Sequence, residues 1–90
     1  MATSASATLD ADAEICGPVS IDRLPGGFFS VKITGTITVT LQRKIAGDWI
    51  DVEAGYSGDT TKDITGAGQY RLIASGTSGG EAVCFLSTQP

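Results

Sequence analysis

Between Phe28 and Val52 the chain alternates with a period of two. Phe29, Val31, Ile33, Ile37, Val39 and Leu41 are apolar, and Ser30, Lys32, Thr34, Thr36, Thr38, Thr40 and Gln42 lie between them. That is the signature of strand with one face buried and one face wet. The β-branched threonines suit the wet face of a sheet. The phase runs unbroken through Gly35, because every apolar position from 29 to 41 is odd-numbered. Two geometries satisfy this pattern: one long strand with a glycine bend or bulge, or two strands that change sheet at Gly35. A tight hairpin there is disfavoured, since Thr-Gly is not a usual turn pair and no polar break surrounds it.

The rest of the chain must pack on or beside this stretch. Residues 44–47 form a short loop with positive φ expected at Gly47. Residues 48–53 form the next strand, antiparallel to the one before, with Trp49 on one face and Ile50 and Val52 on the other. Residues 59–65 read as a short exposed strand that buries Ile64. A Gly66–Gly68 turn leads into residues 69–75, with Tyr70, Leu72 and Ala74 inward. Residues 76–80, Gly-Thr-Ser-Gly-Gly, read as a flexible turn. The closing strand, 81–87, is apolar on both faces, as a central or interface strand would be. Ahead of the alternating stretch, Ile15, Val19 and Ile21 mark an extended segment. Pro18 would interrupt a central ladder, so that segment is an edge strand or two short pieces. A Pro-Gly turn is expected within 23–27. No segment keeps a 3.6-residue period. Six or seven short strands with regular turn signals predict an all-β domain, a small antiparallel β-sandwich of Ig-like or jelly-roll-like kind.

Residues 1–12 are small and carry one large apolar side chain after Met1, Leu9. They read as an extended arm preceding a domain over 13–90. An arm so poor in side chains needs a neighbouring subunit or its own sheet edge to hold it. A 90-residue chain buries only roughly 60–65% of its unfolded surface, so covering by a neighbour would help it.

Charge is distributed unevenly. Asp10, Asp12, Glu14 and Asp22 precede every Lys and Arg, and from Arg23 onward acidic and basic residues balance. An acidic leader on a neutral body argues against nucleic acid and against anionic membrane. The N-terminus has no basic, apolar signal-peptide pattern, and no run is long enough to span a bilayer, so folding in a cytoplasm is expected. In that compartment Cys16 and Cys84 read better as two buried hydrophobes than as a disulfide.

Chemistry is thinly supplied. The chain has no His, which removes the commonest general base, the His-dependent nucleophile pairs and His-type zinc sites. Two distant cysteines make no zinc knuckle. Asp10-x-Asp12-x-Glu14 opens like a calcium loop, but Ile15 stands where glycine is required and Ile21 where the bidentate Glu is required. Gly66-x-Gly68 lacks the third glycine and the βαβ context of a dinucleotide site. No catalytic, metal or cofactor residue is therefore assigned. Trp49 reads as a cap on one end of the core, or as a sugar platform or interface anchor together with Tyr56.

Taken together, Gly35–Arg43 (Gly-Thr-Ile-Thr-Val-Thr-Leu-Gln-Arg), Ala46–Val52 around Trp49, the Thr-rich Asp59–Thr65 and Gly68-Gln-Tyr-Arg-Leu72 resemble small β-sandwich structural proteins of tailed bacteriophages. The resemblance spans roughly residues 33–87 and implies a non-enzymatic virion component assembled in the bacterial host cytoplasm. Capsid decoration or cement proteins, head fibres and tail-associated proteins all have this character. It transfers no binding residues. The acidic leader departs from the pattern. On this reading the partners are the major capsid protein, other virion proteins or sister copies in a homo-oligomer. The contacts are expected from the arm and sheet edges: Leu9, Asp10, Asp12, Glu14, Ile15, Val83 and Phe85.

Overall fold

The computed structural model describes residues 4–21 and 26–88. Within them lie six strands and no helix: β1 (Ser4–Leu9), β2 (Ile15–Ile21), β3 (Gly27–Ile45), β4 (Asp48–Asp51), β5 (Thr60–Ile64) and β6 (Gly68–Thr88). All pairings are antiparallel and belong to one sheet. The all-β antiparallel class is the one the alternation demands. Most of the Pro-Gly turn expected at 23–27 lies outside the described residues.

β3 and β6 form the spine. They pair from Gly27↔Thr88 to Arg43↔Tyr70, nearly end to end. Each carries different neighbours on its two halves. The start of β3 and the end of β6 are flanked by β5 and β1, giving the order β1-β6-β3-β5. The end of β3 and the start of β6 are flanked by β4 and β2, giving β2-β6-β3-β4. We refer to these halves as the β1 leaf and the β2 leaf. The sheet doubles over so that the leaves face each other. Cys16 on β2 points its Sγ at the carbonyl oxygens of Ala5 on β1 (3.6 Å) and Cys84 on β6 (3.9 Å). A Cβ added to Gly27 in the β1 leaf would lie 2.7 Å from Cδ1 of Ile21 in the β2 leaf. The two layers expected of a sandwich are here leaves of one continuous sheet.

The fold line is built from glycine. Of the two geometries open at Gly35, the structure adopts the single bent strand. Gly35 has φ +76°, and Thr36 faces both Gly79 and Ser78 across a bulge. A Cβ on Gly35 would sit 2.9 Å from the Gly79 carbonyl oxygen, and one on Gly80 only 2.3 Å from that of Thr36. Residues 76–80 are therefore not a turn between two strands, as their composition predicts; they carry β6 across the bend beside β3. Local propensity reads Gly-Thr-Ser-Gly-Gly as a loop, but pairing with the bend in β3 overrides it.

Between the leaves lies one core: Leu9, Val19, Ile21, Phe29, Val31, Ile37, Val39, Leu41, Ile64, Tyr70, Leu72, Ala74, Ala82, Leu86 and both cysteines, all at most 4% exposed. The odd-numbered positions of β3 supply five of them, as the alternation requires. Tyr70 is a core ring whose hydroxyl donates to the carbonyl of Gly66 (3.2 Å). β2 pairs only with β6 and shifts register between Cys16 and Val19, where Pro18 stands, so it is an edge strand with a bulge. β3 and β4 meet in a two-residue turn whose Ala46 and Gly47 both have positive φ, the geometry that matches strand twist.

The N-terminal arm is part of this sheet. β1 pairs with β6 from Ser4↔Ser87 to Leu9↔Ala82 without interruption. Of the two supports the sequence allows for it, this one is the chain's own sheet edge. Leu9 is buried at 2% exposure, and Ala5 and Ala7 pack against the core.

Candidate interaction surface

Even-numbered residues of β3 and odd-numbered residues of late β6 point away from the core of the β1 leaf. Register places Phe28 opposite Ser87, Ser30 opposite Phe85 and Lys32 opposite Val83. β5 adds Thr61 opposite Ser30, and β1 adds Ser6 opposite Phe85 and Thr8 opposite Val83. The result is a face of hydroxyls around an apolar centre. Val83 is 50% and Phe85 38% exposed, and the Phe28 and Phe85 rings meet with centroids 5.6 Å apart. An open groove of about 460 Å³ runs beside them, bounded by Ser30, Lys32, Asp59, Thr61, Val83 and Phe85. Asp59 is held in place because its Oδ1 accepts the N–H of Ile33 (2.8 Å). Covering Val83 and Phe85 with a partner would contribute about 1 kcal/mol each, half the value for a fully exposed side chain.

The outward face of the β2 leaf has different chemistry. Arg71 donates from Nε to Oε1 of Gln42 (2.8 Å), and Gln42 donates from Nε2 to Oδ1 of Asp51 (2.9 Å). This ladder crosses β6, β3 and β4. Trp49 lies beside it, opposite Lys44, with the Arg71 guanidinium 4.4 Å and the Lys44 ammonium 5.9 Å from the ring centroid. Trp49 is thus a half-buried surface ring under two cations rather than a cap on the core. Tyr56 is on the other side of the sheet. It pairs through its backbone with Val39 and stacks against the buried Phe29 at 5.4 Å. A sugar platform needs both rings on one face, and the fold places them on opposite faces.

The residues expected to form the contact surface are dispersed. Val83 and Phe85 share the β1-leaf groove. Ile15, 40% exposed, lies opposite Ile73 on the β2 leaf. Leu9 is core and offers no surface on this chain, because β1 docks it inward. Asp10, Asp12 and Glu14 cluster in the turn joining β1 to β2, where the Asp12 and Glu14 carboxylates bind the chain's own backbone and Asp10 hydrogen-bonds Glu14. Glu14 Oε1 accepts the N–H groups of Asp10 and Ala11, both at 2.8 Å, and Asp12 Oδ1 accepts the N–H of Thr77 (2.8 Å). These bonds favour the charged forms. Glu14 is held below the usual carboxylate range by the Asp10 backbone N–H first, and Asp12 by that of Thr77. Asp10 is pushed up, chiefly by its hydrogen bond to Glu14 and then by the Glu14 charge. Among the described residues no group of three or more His, Cys, Asp and Glu is arranged to hold a metal ion.

The cysteines are free thiols buried between the leaves. Burial raises both, and Cys84, next to Cys16, is pushed up to about 12. At neutral pH they stay protonated and behave as small apolar groups.

The contact set expected from the sequence omits Phe28. Its parity alone, opposite to that of Phe29, marks it as outward. Also missed were Ile45, Ile50 and Val52 near the β3–β4 hairpin, each about half exposed because the hairpin outruns the core.

A search of known protein families, of curated proteins and of solved structures finds no match to this chain.

Proposed function

We propose that this protein is a non-enzymatic structural component of a tailed-phage virion, specifically a capsid decoration or cement protein. It docks on the major capsid protein or on sister copies. One observation carries the docking part of this reading: the outward groove of the β1 leaf, where Val83 and Phe85, with the partly buried Phe28 ring against Phe85, form an apolar centre rimmed by hydroxyls, Lys32 and Asp59. An apolar centre with a polar rim is the usual anatomy of a protein–protein contact. The resemblance of residues 33–87 to phage β-sandwich proteins supplies the setting. The acidic turn has a structural role, since Asp12 and Glu14 are engaged with backbone N–H groups.

Deleting residues 1–12 would not test this reading, because it removes β1 and the buried Leu9. Point substitution does. Val83→Lys and Phe85→Lys, made together, should reduce co-sedimentation with capsids of the encoding phage at least about tenfold, roughly 1.4 kcal/mol. The thermal midpoint of the free protein should move little, since both side chains are already exposed. Undiminished capsid binding by a folded double variant would overturn the assignment.

A further inference from the structure

Four strand edges are open among the described residues, and three of them are guarded. β2 carries Pro18 and a bulge. β4 is four residues long and carries Asp48 and Asp51. β5 is five residues long and carries Lys62 and Asp63. Proline, bulges, shortness and charge are the devices that stop a sheet edge from recruiting another strand. β1 has none of them. Its six residues, Ser-Ala-Ser-Ala-Thr-Leu, are uncharged, contain no proline and pair with β6 without a bulge. On its outer side, alternate N–H and C=O groups are left without a strand partner.

We propose that β1 is a self-association edge: two copies of this chain pair β1 to β1, antiparallel, about a two-fold axis. An antiparallel pair of identical strands is self-complementary, so one edge supplies both halves of the contact. Charge fixes the direction. The Leu9 end of β1 is acidic: Asp10 feels Glu81 across the ladder, and Asp12 and Glu14 follow in the turn. Parallel pairing would bring two such ends together. Antiparallel pairing sets them at opposite ends of the contact, each beside the uncharged Ser4 end of the other copy. Side chains also permit it. Ser4, Ser6 and Thr8 are exposed on one face, where they would form hydroxyl pairs across the axis. Ala5 and Ala7 are half-buried on the other face, and their open flank would be covered. The outward faces of two β1 leaves would then join into one, with a Val83–Phe85 groove on each side of the axis. This inference does not depend on the proposed virion role, and each can fail alone.

Sedimentation equilibrium of the full chain tests it. The expected species is a dimer. Ser6→Lys places like charges beside the axis and should raise the dimer dissociation constant at least about tenfold. Ile50→Lys, an exposed position on guarded β4, should leave it within about twofold. Amide hydrogen exchange needs no variant: alternate amides of residues 4–9 should become more protected as protein concentration rises. The proposal is overturned by a wild-type chain that stays monomeric at millimolar concentration. It is equally overturned by equal weakening from the two lysine variants, or by β1 amides whose exchange ignores concentration.

Discussion

The outward faces of the two leaves are built on the same two long strands, yet the aromatic rings they carry are covered differently. On the β1 leaf, Val83 and Phe85 meet solvent among the short hydroxyl side chains of Ser6, Thr8, Ser30 and Thr61, with Lys32 opposite Val83. On the β2 leaf, the large ring of Trp49 is covered by the reach of Arg71 and Lys44, and Arg71 is itself fixed through Gln42 to Asp51. Long side chains lay apolar stems and planar cations over an aromatic face; serine and threonine do not reach. What differs is whether the chain covers the outward aromatic ring itself, although Ile15 also leaves apolar surface open on the β2 leaf. The leaf with the uncovered ring is the one proposed above to dock.

The contrast can be broken at its root by removing the bend that creates two leaves. Gly80→Ala places a Cβ 2.3 Å from the backbone oxygen of Thr36, where no side chain can yield. It should cost roughly 3 kcal/mol or more in a denaturant titration, among the larger single-site effects. Gly58→Ala, at a site with open space around the added atom, should stay within about 0.5 kcal/mol. A smaller effect is expected on the covered face. Arg71→Ala should cost about 1 kcal/mol through lost ring stacking and one lost hydrogen bond. It should also make Trp49, the chain's only tryptophan, more accessible to a collisional fluorescence quencher. Unchanged quenching would mean that Arg71 does not shield the ring, and the contrast between faces would weaken.

The smallest effect comes from acid. Glu53 is held below its usual range by hydrogen bonds from Tyr56 first and then Lys62, and Asp12 and Glu14 are lowered in the turn. A carboxylate lowered in the folded state contributes stability above its unfolded value. That contribution fades as the pH falls below about 4 toward the folded value. Asp10, which is raised, works in the opposite sense and costs stability at neutral pH. Three lowered groups against one raised predict acid destabilisation, with an acid midpoint less steep in Glu53→Gln than in wild type. An acid limb identical in the two proteins would remove Glu53 from this account.

The parts of the fold visible in the sequence are those where side chains carry the signal. The odd positions of β3, the inward Tyr70, Leu72 and Ala74, and the single buried Ile64 of β5 all follow from alternation. β1 was ambiguous because a strand of Ser, Ala and Thr is held by a backbone ladder, which leaves little trace in side-chain pattern. The passage of β6 through Gly76–Gly80 was misread because glycine serves turns and close backbone crossings alike. Only its opposite number, Gly35, decides between them. Trp49 depends on Arg71 from a distant strand, a pairing set by register. Of the contact residues, Val83 and Phe85 stood out because their strand is apolar on both faces. Phe28 needed the fold to join them.

The uninterrupted pairing of β1 with β6 also has a mechanical side. Ser4 lies opposite Ser87, so force applied at these two positions acts on the same end of the β1–β6 ladder. Tension drawn through those two positions would load the ladder bonds one after another, as a zipper is opened. The spine behaves otherwise: tension along β3 against β6 is shared by bonds from Gly27↔Thr88 to Arg43↔Tyr70 at once. The β1–β6 pairing is thus the one expected to part first, before the β3–β6 spine.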